Sequence, residues 1–115
     1  MNEPTYIKEY IIESDSSDDK NIHIKLNLEQ KKKQVLKGYS ELIYINDFFE
    51  IWKCKLPYEI KLVLINTTNK QKYKIIESVS TIPDKNEYRK MVAAFNTALK
   101  KEDINFKMVK DMNNY

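Results

Sequence analysis

Between residues 48 and 80 apolar and lysine side chains alternate, and this restricts the fold more than any other feature of the chain. In 58–66, Ile60, Leu62 and Leu64 share one parity while Lys61 takes the other. In 72–80, Tyr73, Ile75 and Val79 alternate with Lys72 and Lys74; in 48–55, Trp52 and Cys54 stand opposite Lys53 and Lys55. Period two is the repeat of an extended strand, whose successive side chains leave opposite faces. Leu56-Pro57 ends the first run, because proline has no N–H to give to a ladder. Thr67-Thr68-Asn69-Lys70-Gln71 reads as the connection of a hairpin between the other two.

The next segment changes period. Tyr88, Met91, Val92, Phe95 and Leu99 recur at i, i+3, i+4, i+7 and i+11, which predicts a helix over 84–102 with one apolar face. Pro83 precedes it, and Asp84 with Glu87 forms a capping-box-like start. Toward the amino terminus, 6–12 reads as a strand. Residues 21–28 carry the cleanest alternation of all, Ile22, Ile24, Leu26 and Leu28 against His23, Lys25 and Asn27, and read as a second strand. Ser14 to Asp19 would be the polar turn between them. Val35, Leu36, Tyr39, Leu42 and Ile43 fit a helical stripe as well as strands. The preferred reading is helix for 29–38 and strand for 39–45, with Gly38 unfavourable inside a helix by about 1 kcal/mol. Residues 103–115 could extend the last helix or add an edge strand. With no internal repeat or linker, residues 1–115 read as one α+β domain. Its antiparallel sheet has four to six strands, and the helix at 84–102 covers one face.

Composition bears on function mainly by exclusion. The chain has one histidine, one cysteine and one glycine in 115 residues. A structural zinc site takes about four Cys or His ligands, the usual hydrolase triads pair a histidine with a nucleophile, and phosphate-cradling loops take at least two glycines. No catalytic residue, metal site or cofactor is expected. His23 would be a surface strand residue and Cys54, beside Trp52, a small core hydrophobe. A lone cysteine cannot form an internal disulfide, the first ten residues lack a secretory pattern, and no apolar run, Leu62–Ile65 included, approaches the roughly 20 residues of a membrane span; a cytoplasmic protein without a membrane span is expected.

The net charge is +3, divided unevenly: residues 1–29 sum to −4 and residues 30–115 to +7. If the three central strands are neighbours, Lys53, Lys55, Lys61, Lys72 and Lys74 would leave one sheet face together. That face could follow a phosphate backbone or an acidic protein, or simply keep the sheet solvated. Lys31-Lys32-Lys33 adds a second basic cluster. With nineteen lysines and a single arginine, Arg89, nucleic-acid contact would be to the backbone rather than to bases. Of thirteen aromatic residues eight are tyrosine. Tyr6, Tyr10, Tyr39, Tyr44 and Tyr58 suit either an exposed binding patch or the rim of the core. Asp15, Asp18 and Asp19 offer the opposite charge for steering a partner.

These features favour a small non-enzymatic protein-interaction module of inhibitor, immunity or adaptor type, which occludes a partner's surface. The abundance of lysine, isoleucine, asparagine and tyrosine hints at an AT-rich phage or mobile-element source. The partner is expected to be a protein, and homo-oligomerisation stays open. The first alternative is a nucleic-acid binder using the lysine face. The second is a chaperone-like or transport-accessory domain that holds peptide in an apolar groove beside the helix.

Overall fold

The computed structural model describes residues 5–13, 20–81 and 84–108. In chain order the elements are β1 (Thr5–Glu13), α1 (Lys20–Val35), β2 (Tyr39–Ile45), β3 (Phe49–Leu56), β4 (Glu59–Asn66), β5 (Lys72–Ser80) and α2 (Lys85–Lys101). The five strands form one antiparallel sheet in the order β1-β5-β4-β3-β2. The architecture is therefore α+β, with strands 39–45 and 72–80 and the carboxy-terminal helix where the sequence puts them.

Residues 21–28 depart from expectation: they belong to α1, not to a strand. The alternating set already contains a helical pair, since Ile24 and Leu28 are four apart, and Val35 lies seven further on. All three are buried, while Leu26 of the same alternation is 57% exposed. The run Glu29-Gln30-Lys31-Lys32-Lys33-Gln34 then consists of helix formers, which tips the segment. Topology demands the same result. β1 and β2 occupy opposite edges of the sheet, four inter-strand gaps or about 19 Å apart. A sixteen-residue helix covers about 24 Å and can make that crossing.

Both faces of the sheet are consequently clad. On one, α1 packs Ile24, Leu28 and Val35 against Ile12, Cys54, Val63, Ile65, Tyr73 and Ile75. On the other, α2 sets Tyr88, Met91, Val92, Phe95 and Leu99 against Ile51, Leu62, Leu64 and Ile76. Burial of each large α2 side chain contributes about 1.5–3 kcal/mol, enough to dock the helix. The helices lie mainly over β1, β4 and β5, so the β2 side of the sheet projects beyond them.

The helix ends explain two residues. Asp84 caps α2, its Oδ1 accepting from Glu87 N at 2.8 Å. After Lys101 the chain reverses through Asp103 (φ 58°), with Asp103 N donating to Lys100 O and Ile104 N to Leu99 O. That bond pair is a Schellman closure. Residues 104–108 then run back along α2 without forming the helical extension or edge strand expected of them. Asn96 clamps them through Nδ2 to Met108 O (3.2 Å) and Met108 N to its Oδ1 (2.8 Å). Gly38, read as a blemish within a helix, is instead the turn after α1, with φ 71°. A Cβ there would stand 2.4 Å from Lys55 O and 2.9 Å from Leu56 Cγ. Among the described residues no helix is long and apolar enough to cross a membrane.

Candidate functional site

Strand register divides the five lysines expected on one face. Directly paired residues of antiparallel strands share a face. Leu56 pairs with Glu59 across a two-residue turn, so Lys53 pairs with Leu62 and Lys61 with Cys54. Asn66 pairs with Lys74 on β5. Lys53, Lys55, Lys72 and Lys74 therefore take the α2 side of the sheet, and Lys61 takes the α1 side. Lys53 is only 5% exposed and lays its ammonium 5.1 Å from the Tyr88 ring centroid. Lys74 pairs with Glu102 (3.2 Å) and Glu9 (3.5 Å), and Lys72 with Glu13 (3.6 Å). The hydrogen bond to Glu102 leads in raising the Lys74 pKa, with the Glu102 and Glu9 charges adding and burial opposing. Of the five, Lys55 and Lys72 are exposed. Among the described residues these five lysines form no continuous face.

Lys61 anchors the polar centre of the α1 layer. Its Nζ donates to Glu77 Oε2 at 3.2 Å and to Val35 O, in the last turn of α1, at 2.9 Å. Tyr10 donates its hydroxyl to the other Glu77 oxygen at 3.0 Å. Both charged side chains are more than nine-tenths buried. An ammonium at a helix carboxy terminus also meets the negative end of the helix dipole. Burial first, then the Glu77 charge and hydrogen bond, push the Tyr10 phenol up to about 12. Next to this centre Cys54 is fully buried, its Sγ 3.4 Å from Ser40 Oγ. Burial raises its thiol pKa, against the lowering effect of the Ser40 contact. The arrangement holds α1 to the sheet. It presents no ionised nucleophile to solvent.

The proposed aromatic and acidic surface is also dispersed. Tyr10 is half-buried under α1 with Lys31 Nζ 4.9 Å from its ring centroid, and Tyr6 is half-buried with Lys8 Nζ at 5.3 Å. Burial, then Glu59 and Glu77, raise the Tyr6 pKa. Tyr58 is 85% exposed in the β3–β4 turn. Asp15, Asp18 and Asp19 lie outside the described residues, and so does the side chain of His23. Among the described residues no three His, Cys, Asp or Glu side chains group as metal ligands.

The exposed apolar surface that does form is an edge. Six of the seven β2 residues are exposed, and the strand reads Tyr39-Ser40-Glu41-Leu42-Ile43-Tyr44-Ile45. Pairing with β3 puts Leu42 and Ile45 on the α1 side and Tyr39 and Tyr44 on the α2 side, with an irregularity between Leu42 and Tyr44. Tyr44 leans on Phe106 and Phe49, ring centroids 5.0 and 5.6 Å away. Phe48, just past the strand, is 56% exposed. One flank of β2 pairs with β3; the other is the border of the sheet, where backbone N–H and C=O groups have no neighbouring strand among the described residues. Glu41 is its only charge, with none of the lysine or proline that usually blunts such an edge. The strand at 39–45 was legible beforehand, but its position at the border follows from topology. A second apolar feature is a groove of about 390 Å³ between β1 and α2, lined by Ile7, Ile76, Ala94 and Ala98 among others.

The chain matches no protein-family model, no curated protein and no solved structure.

Proposed function

We propose that this chain is a small, non-enzymatic protein-interaction module that takes a partner's extended strand onto its β2 edge and occludes that partner's surface. An inhibitor, immunity or adaptor role fits this mode. The observation that carries it is β2 itself: a border strand, apolar on both faces and exposed over nearly its whole length. Strand addition supplies affinity through main-chain hydrogen bonds, and the flanking side chains supply selectivity. The buried Lys61–Glu77 pair and the packed Cys54 serve the fold in this reading.

The test is affinity capture from the cells that make the chain, with wild type against Ile45→Lys. Ile45 is 55% exposed, so the substitution leaves the core intact. Recovery of a discrete protein partner that the variant loses supports the reading. A partner retained by the variant refutes the edge. Binding of labelled DNA or RNA that falls steeply with salt would move the assignment to nucleic acid. The β1–α2 groove favours a second reading, a peptide-holding domain. Loss of the partner on Ile7→Glu rather than Ile45→Lys would select it.

A further inference from the structure

We infer that the strand completing the β2 edge belongs to a second copy of this chain, paired antiparallel about a twofold axis near Leu42; this rests on reading β2 as a docking edge. Charge at the two ends of the strand points to it. Lys37 stands five residues before Leu42 and Asp47 five residues after, both exposed. Among the described residues neither side chain is in an ion pair. A twofold interface is self-complementary, so each contact occurs twice. Antiparallel pairing near Leu42 brings the Lys37 end of each copy to the Asp47 end of the other. Glu41, the only charge within the strand, then lies across from the Ile43-Tyr44 stretch of the second copy rather than from its own counterpart.

The surroundings leave room for such a neighbour. α2 packs on β1, β4 and β5, and α1 on β1 and β5 with its last turn reaching Glu50 of β3, so neither helix core includes β2. A twofold axis through an antiparallel edge stands perpendicular to the sheet. It therefore keeps the α1 faces of both copies on one side, and Leu42 of each copy meets Leu42 of the other. The apolar groups Tyr39, Leu42, Tyr44 and Ile45 would all gain cover. The edge is about 24 Å long, and an interface of that extent falls below the roughly 1,200 Å² of total buried surface that marks weak, reversible association.

Sedimentation velocity over about 5–500 µM tests this, with circular dichroism to confirm folding of each variant. The expected result is a concentration-dependent monomer–dimer equilibrium. Lys37→Glu and Asp47→Lys should each weaken dimerisation about tenfold, because each places like charges together at both ends of the pair. The double variant should restore wild-type behaviour. A monomer at all concentrations overturns the inference, as does a dimer indifferent to the single reversals or not rescued by the double one. Should a variant not fold, amide exchange of wild-type residues 39–45 decides: protection must rise with concentration. A monomeric wild type whose Ile45→Lys variant still loses a different captured protein defeats the second copy alone. Capture that is insensitive to Ile45→Lys defeats the docking edge as well.

Discussion

Replacing Lys61 by methionine tests whether α1 truly seals the sheet. The substitution keeps the length and apolar stem of the side chain but removes the ammonium. Glu77, 3% exposed, then loses its only charged partner among those described and keeps the Tyr10 hydroxyl. Val35 O loses its 2.9 Å donor at the end of α1. Stranding one member of a buried ion pair costs about 3–5 kcal/mol. Removing both charges is different: Lys61→Met with Glu77→Leu leaves no buried ion, and such replacements run from neutral to stabilising by about 1–4 kcal/mol. The double variant still loses the Val35 bond and the Tyr10–Glu77 bond, worth about 1 kcal/mol each, so it should lie within about 2 kcal/mol of wild type. Urea denaturation followed by circular dichroism gives each stability, and the four-protein cycle gives the coupling. A Lys61→Met protein within about 1 kcal/mol of wild type, at unchanged denaturant slope, would refute the reasoning. The pair would then be solvated, and the α1 face open.

Three further outcomes are expected. Phe95→Ala, at a fully buried position in the centre of the α2 layer, should lose about 3–5 kcal/mol on chemical denaturation, whereas a loss under 1 kcal/mol would show the helix face misassigned. Gly38→Ala should destabilise by more than about 1 kcal/mol, since it combines a left-handed φ with a Cβ driven against Lys55 O; equal stability by thermal melting would contradict that turn. The raised Tyr10 pKa means that the folded state holds its phenolic proton more tightly than the unfolded one. Its contribution is therefore complete below about pH 10 and is lost as pH rises through about 12, and Tyr10→Phe should flatten that decline in an alkaline stability series.

How much of this was legible in the sequence varied with the range of the interaction. The helix at α2 was visible because its stripe, its Asp84 cap and its burial agree. Strands β3, β4 and β5 were visible because alternation is local. The lysine face failed at the next level, where strands must be set in register. Each lysine's parity was correct, yet a two-residue turn at Pro57-Tyr58 pairs odd positions with even ones, which forces Lys53 and Lys61 to opposite faces. That turn was a usable signal. In α1 a strand-like alternation concealed the Ile24–Leu28 pair, and the decision came from the helix-forming 29–34 run and from the distance to be crossed between sheet edges. Gly38 likewise marked a helix end. The β2 border could not be read locally, because strand order is a property of the whole chain.

Hydrogen–deuterium exchange across Tyr39–Ile45, measured on dilute monomer and again on the assembled complex, puts the edge itself to trial. Amides on the outer flank of β2 should exchange quickly in the monomer and slow markedly on assembly, with α1, α2 and the Lys61 region unchanged. Protection that arises on α1 or α2 while β2 stays fast would contradict an interaction built on this strand.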